Sequence, residues 1–312
     1  MRETKSGWDD QRLARDRQAL LQAQMRERGI GAMYLSDTMN MRYVLNLKVP
    51  GGGVFVPADG EVIAFIKPRD MGYVRMRHAN IQPTFYTSAD TETPAFDEKV
   101  KRFAQIISDL MIEHGVADSP LGVDPLDAAA YNALTDARVR VANAGPIIER
   151  ARSIKTQDEV AIYHEIGDQY ARTMAAFRDG LRPGVTELEL AALVTASWSD
   201  VGGEEIAQLN ICAGENMNPW RRWPSERPVQ EGEFVGIDLH GRGANGMRGD
   251  ASRTYFVGDH PTQEQRDLYK RAYDYLFGVV DVVRAGVALT DVRDRAPAVP
   301  DRYAAQLYNY SI

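Results

Sequence analysis

Apolar positions in the first half of the chain follow two patterns. Spacings of three and four residues predict helices, whereas short apolar runs bounded by glycine or proline predict buried strands. The pair Asp59-Gly60 between two apolar runs is a strong hairpin signal. The predicted elements are a helix over 8–28, a strand over 32–35, a short helix over 40–47, a hairpin over 53–66, a helix over 96–113, a strand over 121–124 and a helix over 125–136. This alternation predicts a small α/β layer domain over residues 1–145.

The second half contains an internal repeat. A predicted helix over 158–178 and another over 263–284 are each followed by a Gly-Val turn, and the two turn glycines, Gly184 and Gly286, are 102 positions apart. After the first turn, Thr186–Glu189 has the form of a helix capping box. Strands are predicted between the two copies, over 209–213, 234–240 and 247–257. The pattern predicts a duplicated α+β domain over 146–312, with residues 143–155 as the joint.

Composition excludes several classes of protein. The chain has 312 residues, 44% of them hydrophobic and 26% charged, so a disordered protein is not indicated. The net charge of −7 argues against a nucleic-acid partner or an anionic membrane surface. No apolar run has the length of a membrane span, and residues 1–20 are charged throughout, so we expect a cytoplasmic protein without a signal peptide. Its one cysteine, Cys212, excludes an intrachain disulfide.

Two aspartates are the strongest candidates for chemistry. Asp238 ends one predicted strand and Asp250 lies twelve positions later in the returning strand. A turn centred near Ala244 would make them cross-strand neighbours, where two carboxylates repel each other. A divalent cation between them would remove that repulsion, because carboxylates on rigid strands are preformed ligands for such ions. The alternative interpretation is a hairpin with two solvated acids on its outer face.

Three collinear motifs give the chain a family resemblance. Asp250–Tyr255 matches a D-[IAV]-[ST]-R-T-[FYW] pattern, Ile148–Glu159 resembles a segment leading into a catalytic domain, and Leu181–Glu189 resembles an R-P-G-x-T-E-x-E helix start. These motifs resemble those of the creatinase, prolidase and aminopeptidase P family, the "pita-bread" metallohydrolases (M24). The resemblance covers roughly residues 28–312.

The resemblance implies both an architecture and a metal site. It implies an α/β N-terminal domain of creatinase/prolidase type followed by an α+β pita-bread catalytic domain. Asp238 and Asp250 would then be metal ligands, and the full-length protein would hold two divalent ions (Mn, Fe, Co or Zn). It also implies a homodimer that acts on a small-molecule or short-peptide substrate.

Part of the family's ligand set is absent from this sequence. In the family, a histidine in an H-G-[IV]-G segment and two glutamates on later strands complete the metal site. Neither His260 nor any acid in 259–312 fits these roles. We therefore expect the pita-bread domain to be incomplete at the C-terminus, and the fragment itself to be inactive.

The loop before the first metal strand departs from the family's peptidases. Arg221 stands where those peptidases keep a histidine that shuttles protons or contacts the leaving group. The spacing between Asp238 and Asp250 is one residue longer than in aminopeptidase P-like sequences. Both features, with the triplet Asn218–Trp220, are similar to the dimethylsulfoniopropionate (DMSP) lyases of this fold.

Those lyases have a further aspartate where this chain has His240. Strand alternation puts His240 on the face of Asp238, so it is a candidate third ligand, the alternative being that it only packs beside the turn. Trp220 and Trp223, interleaved with arginines, are candidates for a pocket wall around a carboxylate-bearing or cationic substrate. The alternative for this segment is a surface loop.

Three functional hypotheses remain open. The first is a metal-dependent hydrolase resembling Xaa-Pro dipeptidases and aminopeptidases. The second is a metal-dependent lyase of a small carboxylate such as DMSP. The third is a non-catalytic or metal-free creatinase-like relative. A fold alone does not choose among them. The hydrolase is the main prediction, because that activity is the commonest in the family.

Overall fold

The structure is a computed structural model that describes residues 7–75, 81–83, 95–218 and 220–296. Backbone contacts divide the described residues into two compact units. The first contains the residues up to 166 together with 244–247, and the second contains 167–243 and the residues from 248 onward. Among the described helices, none is long and apolar enough to cross a membrane.

The first unit is an α/β domain, as the sequence predicts. Its six-stranded sheet has the order β4-β3-β2-β1-β5-β6, in which β1 and β2 are antiparallel and β1, β5 and β6 are parallel. The strands are β1 (Ala32–Leu35), β2 (Gly52–Pro57), β3 (Ile63–Ile66), β4 (Ile81–Pro83), β5 (Leu121–Val123) and β6 (Val141–Asn143). The helices are α1 (Asp10–Glu27), α2 (Thr38–Leu45), α3 (Met71–Arg75), α4 (Phe96–Glu113), α5 (Ala128–Asp136) and α6 (Gly145–Ser153).

Both faces of the central strands are buried. In β1, Met33 and Leu35 join the core on the side of α1, α2 and α6, whereas Ala32 and Tyr34 join the core on the side of α4 and α5. Every residue of β1, β2 and β3 is buried, which is why these strands read as continuous apolar runs rather than as alternating ones.

The predicted joint over 143–155 is instead part of this domain. Its first residue ends β6, and most of the remainder forms α6, whose Ile147, Ile148 and Ala151 are buried in the core beside α1. A joint would be solvated, whereas the apolar side chains of this segment recur at helical spacing and can be buried on the sheet.

The second unit contains one antiparallel sheet of order β7-β8-β9 and the helices of the repeat. Its strands are β7 (Glu205–Ala213), β8 (Phe234–Arg242) and β9 (Arg248–Phe256). The helices are α7 (Gln157–Gly180), within which the division between the units falls, α8 (Glu187–Asp200), α9 (Gln263–Val280) and α10 (Leu289–Arg295).

The internal repeat is confirmed in backbone detail. Gly184 and Gly286 have φ values of +87° and +88°, a region that favours glycine, and each lies between a long helix and a shorter one. In the first copy the N–H of Val185 bonds the carbonyl of Arg182, and the N–H of Val287 repeats this contact with Arg284. The predicted capping box of Thr186 and Glu189 is present at the start of α8.

Candidate metal centre

The hairpin of β8 and β9 carries both aspartates, but in a register different from the predicted one. Asp238 lies opposite Ser252, and His240 lies opposite Asp250. The prediction that the aspartates are direct cross-strand neighbours was therefore wrong, because the turn is centred one residue later than assumed. The carboxylates are diagonal neighbours on one face, and the side chain between them is His240.

His240 interacts with both aspartates. Its Nε2 lies 2.9 Å from Oδ2 of Asp238, and its Nδ1 lies 3.3 Å from Oδ2 of Asp250. Ligand atoms of the three residues all lie within 4.8 Å of one another. The side chain of His240 thus contacts both acids, and its role as a third metal ligand stays a prediction.

Asp238 receives two further hydrogen bonds from its neighbours on the sheet. The hydroxyl of Ser252 donates to Oδ1 at 2.6 Å, and Nδ2 of Asn210, the residue opposite Asp238 on β7, donates to Oδ2 at 2.9 Å. Burial alone would raise the pKa of Asp238, but the hydrogen bonds from Ser252, His240 and Asn210 lower it below its usual range. Asp238 is thereby held ionised and in one orientation.

Asp250 has the opposite electrostatic environment. Partial burial raises its pKa above the usual range; the positive character of His240 opposes this, and the nearby carboxylate of Asp238 adds to it. Its side chain is 58% exposed, compared with 21% for Asp238. The site therefore combines one fixed carboxylate with a more exposed one whose charge is poorly compensated.

The chemistry of this donor set fits a divalent cation. Two carboxylates and an imidazole are the ligands that Mn, Fe, Co and Zn ions take in proteins. A cation among them would also compensate the unfavourable charge of Asp250. This trio is the one cluster of three or more histidine, cysteine or acidic side chains with such geometry in the part of the chain that the structure describes.

Neutralising the two aspartates should change stability in opposite directions in metal-free protein. The lowered pKa of Asp238 means that its ionised form stabilises the fold above its unfolded pKa, and that this stabilisation is lost as the pH falls through the folded pKa. The raised pKa of Asp250 means that its ionised form costs stability at neutral pH. In EDTA at neutral pH, we expect Asp238→Asn to lower and Asp250→Asn to raise the free energy of unfolding in urea.

The Asp250 difference should shrink as the pH falls through its raised folded pKa and be gone by the unfolded carboxylate pKa of about 4, whereas the Asp238 difference should shrink only below that value, as the pH falls through its lowered folded pKa. Changes of the same sign in the two variants at neutral pH would contradict the opposite environments of these carboxylates.

The predicted pocket-wall residues differ in how far they are buried. The indole of Trp220 is half-buried over Gly236, on the same strand face as Asp238, and its ring carbons lie 3.3 and 3.4 Å from where a Cβ of Gly236 would be. The side chains of Arg221 and Trp223 are exposed, the latter to 69%. The structure thus brings Trp220 to the candidate centre and leaves Trp223 in solvent; the middle residue of the Asn-Pro-Trp triplet lies outside the described residues.

Glu187 holds the loop that carries these residues, and the sequence did not single it out. Its carboxylate is fully buried at the first position of α8. It accepts hydrogen bonds from the backbone N–H of Ala213 at 2.8 Å, from Nδ2 of Asn216 at 2.9 Å, and from the N–H and hydroxyl of Ser225 at 2.9 and 2.6 Å. These donors lie before and after Trp220, so Glu187 fixes both ends of the loop. Its position inside the R-P-G-x-T-E motif was the available signal.

Two family models match adjacent parts of the chain. The creatinase/prolidase N-terminal domain matches residues 17–154, and metallopeptidase family M24 matches residues 161–311. Together they cover both units and include the candidate metal centre.

Curated relatives include lyases and peptidases. The chain is 23% identical to the dimethylsulfoniopropionate lyase DddP of Roseovarius nubinhibens over 90% of its own length and 67% of the lyase, and 22% identical to that of Roseobacter denitrificans over 90% and 66%. It is 26% identical to the probable dipeptidase PepE of Mycobacterium tuberculosis over 48% of its own length and 40% of that protein. The chain thus spans about two thirds of the length of the lyases and less of the dipeptidase.

Solved structures share the fold. The Xaa-Pro dipeptidase of Bacillus anthracis superposes with a TM-score of 0.75 at 19% identity, over 91% of this chain and 76% of that one. The dipeptidase PepE of Mycobacterium ulcerans gives a TM-score of 0.73 at 21% identity, over 93% and 76%. At these identities the likeness concerns the fold alone. The chain carries a creatinase/prolidase N-terminal domain over residues 17–154 and a metallopeptidase family M24 domain over residues 161–311.

Proposed function

We propose that this chain is part of a metal-dependent hydrolase that acts on Xaa-Pro dipeptides or other short peptides. The observation that carries the proposal is the cluster of Asp238, His240 and Asp250, whose ligand atoms lie within 4.8 Å of one another on one face of a rigid hairpin. In the full-length protein we propose two divalent ions, of Mn, Fe, Co or Zn. Three candidate ligands among the described residues suffice for one ion but not for two, since each ion takes three or four ligands, so the chain itself is proposed to be inactive or nearly so.

Each residue has a proposed task in this reaction. Asp238 and Asp250 would hold the cation, with His240 as a third ligand. A bound divalent ion activates water and polarises a carbonyl group. Ser252 and Asn210 keep Asp238 oriented, and the half-buried indole of Trp220, which lies over Gly236 on the same strand face, would line one side of the centre. Arg221 would bind a substrate carboxylate, since a guanidinium can grip it through two parallel hydrogen bonds.

A lyase that acts on a small carboxylate such as DMSP is the second candidate. The DMSP lyases match 90% of this chain, whereas the similarity to the dipeptidase PepE extends over 48%. A lyase would use the metal to bind the carboxylate and a side chain to remove a proton. A metal-free, non-catalytic relative is the third candidate, and metal binding by the trio would count against it.

Arg221 provides a test that applies to both catalytic candidates. A guanidinium cannot shuttle a proton in the way a histidine does, so Xaa-Pro cleavage should be slow even in the full-length protein. Xaa-Pro dipeptides and DMSP are to be compared side by side with manganese-, iron-, cobalt- and zinc-loaded enzyme. Arg221→Ala should raise KM for carboxylate-bearing substrates about tenfold or more, as loss of a charged hydrogen bond does.

Arg222→Ala is the matched control, because Arg222 is the next residue, also exposed, and carries the same charge. Equal effects of the two substitutions would show a general loss of positive charge instead of a specific contact. Efficient dipeptide cleavage that is unchanged in Arg221→Ala would contradict the role given to this loop. Turnover of DMSP without dipeptide cleavage would favour the lyase over the hydrolase.

The proposed enzyme is a cytoplasmic homodimer. The support is the family resemblance, which extends into the first unit, and the match of the creatinase/prolidase N-terminal domain over residues 17–154. We expect sedimentation equilibrium at micromolar concentration to give twice the chain mass of 34.8 kDa. A single monomeric species across that range would contradict the dimer and leave the metal centre unaffected.

A further inference from the structure

A cavity opens in the first unit at the carboxyl ends of the parallel strands β5 and β6. Its volume is about 660 Å³, and it is bordered by the ends of these two strands, by the start of α5 and by one side of α6. Small-molecule sites in proteins typically have volumes of about 300–1,000 Å³. All residues that line the cavity belong to the first unit, and none of them is a candidate metal ligand.

The course of the chain explains why the sheet opens at this place. After β5 the chain enters α5, which packs on one face of the sheet together with α4. After β6 it enters α6, which packs on the opposite face together with α1 and α2. Parallel strands whose following helices lie on opposite faces leave a crevice outside their carboxyl ends, and open α/β sheets bind ligands in such crevices.

Most of the side chains that line the cavity are apolar. Val123 and Val141 end and begin the two strands, Leu126 follows β5, and Ile148 lies on α6. The ring of Tyr131, half of which is exposed, forms part of the wall on α5. These walls suit a ligand with an apolar body, because contact with them removes apolar surface from water.

Two charged side chains of α6 border the cavity without pairing with each other. Glu149 and Arg152 are three positions apart, a spacing at which opposite charges on a helix are neighbours. No ion pair joins them, and Glu149 is exposed without a hydrogen-bond partner in the part of the chain that the structure describes. A negative and a positive group are therefore both available at the same edge of the cavity.

Arg152 is a half-buried cation that no carboxylate of the described residues approaches within ion-pair distance. Its Nη2 donates to the carbonyl of Met39 at 3.1 Å, and its guanidinium carbon lies 4.7 Å from the centre of the Tyr43 ring. Burial lowers the pKa of Arg152, and Asp37 and Glu159 oppose this only from a distance. Most of its N–H donors thus have no acceptor among the described residues, and a carboxylate matches their fork geometry.

The second acid in the lining has a structural role. Asp124 is buried and accepts four hydrogen bonds, from the N–H and hydroxyl of Ser36, from the N–H of Asp37 and from Nδ2 of Asn40. These bonds join the loops that follow β1 and β5. Of the two acids that line the cavity, Glu149 is therefore the one whose oxygens are available to a ligand.

We propose that this cavity binds a free α-amino acid with a large apolar side chain. The carboxylate of the ligand pairs with Arg152, its ammonium group pairs with Glu149, and its side chain lies against the apolar walls. An α-amino acid carries both charges on one carbon, and Cβ atoms three positions apart on a helix are about 5–6 Å from each other, so the two side chains can reach one zwitterion. This binding site goes beyond the proposed function and does not depend on which reaction the hairpin centre performs.

The test compares L-leucine with two analogues that each lack one charged group. 4-Methylpentanoate lacks the amine, and 3-methylbutylamine lacks the carboxylate. Dissociation constants are measured by calorimetry on the whole 312-residue chain, once in EDTA and once with Mn²⁺. The wild type should bind L-leucine about tenfold or more tightly than either analogue under both conditions, as expected for hydrogen bonds between charged groups.

Two substitutions remove one charge each and keep the size of the side chain. Arg152→Gln retains an N–H group for the carbonyl of Met39, and in this variant L-leucine should bind no more tightly than 3-methylbutylamine. In Glu149→Gln, L-leucine should bind no more tightly than 4-methylpentanoate. Arg150→Gln is the matched control, because Arg150 is an exposed arginine of the same helix that does not line the cavity, and it should bind L-leucine as the wild type does.

Several results would overturn the proposal. Absence of L-leucine binding at millimolar concentration, or equal affinity for L-leucine and the two analogues, would show that the cavity does not recognise a zwitterion. Binding that requires Mn²⁺ would place the ligand at the metal centre instead. Because Glu149 is exposed, Glu149→Gln remains a test if Arg152→Gln does not fold, and an unchanged preference for L-leucine over 3-methylbutylamine and 4-methylpentanoate in Glu149→Gln contradicts the proposal.

Discussion

Replacing Asp238 and Asp250 together by asparagine should abolish tight binding of divalent metal. The amides keep the shape of the carboxylates but remove both negative charges from a cluster whose ligand atoms lie within 4.8 Å of one another. Loss of an outer partner of a metal ligand typically costs about 10–100-fold in affinity, so loss of two direct ligands should exceed about 100-fold. Calorimetric titration with Mn²⁺ and Zn²⁺, supported by elemental analysis after reconstitution, measures the effect.

A matched control removes the same amount of charge elsewhere. Asp200 and Asp259 are exposed acids outside the cluster, and the Asp200→Asn, Asp259→Asn double variant should bind metal as the wild type does. His240→Ala should lie between the two double variants, with His260→Ala as its exposed control. Unchanged metal stoichiometry in the Asp238→Asn, Asp250→Asn variant would show that the hairpin is not the metal centre.

The hairpin of β8 and β9 shows which features of the site could be predicted from the sequence. The two strands, the face that they share and the acids on it were all predicted, because strand alternation fixes which residues are neighbours on a face. The register was not, because Gly241-Arg-Gly-Ala-Asn-Gly246 allows several turns. The structure closes the turn at Asn245 and Gly246, with φ values of 55° and 66°. An Asn-Gly pair is the commoner hairpin signal, but a two-residue turn at Asn245-Gly246 would have placed His240 opposite Ala251, so that signal does not give the observed register either.

Buried polar residues were harder to predict than the exposed acids. Asn210 lies within the apolar run Leu209–Ala213. Glu187 lies in the first turn of a helix, where acidic residues are common because the helix dipole stabilises negative charge there. In both cases the hydrogen-bond partner is distant in sequence. Asn210 bonds Asp238, 28 residues away, and Glu187 bonds Ser225, 38 residues away. Composition and periodicity describe a residue's own element, so they cannot identify a partner that only tertiary folding supplies.

The first domain was predictable for the opposite reason. Its strands are so apolar that they must be buried on both faces, and the helices between them supply the two layers. The segment taken as a joint shows where this reasoning failed, since α6 has the charged residues expected of a linker on its exposed side and Ile147, Ile148 and Ala151 on its buried side.

Glu187→Gln should be among the most destabilising single substitutions in the second unit. The carboxylate is fully buried and accepts four hydrogen bonds, from Ala213, Asn216 and Ser225. The amide nitrogen of glutamine is a donor that would face other donors, and hydrogen bonds to a charged group contribute about 1.5–3 kcal/mol each. We expect the free energy of unfolding to fall by about 2–4 kcal/mol, within the range of a disrupted buried polar network.

The control lies two residues away in the same helix turn. Glu189 belongs to the capping box with Thr186 and is exposed, so Glu189→Gln keeps a capping side chain and should cost less than about 1 kcal/mol. Urea denaturation monitored by circular dichroism gives the two free energies. Because Glu187 fixes both ends of the loop around Trp220, Glu187→Gln should also make that loop more susceptible to limited proteolysis under native conditions. Equal small losses in both variants would show that the four buried hydrogen bonds are replaced by others, and that the loop does not depend on Glu187.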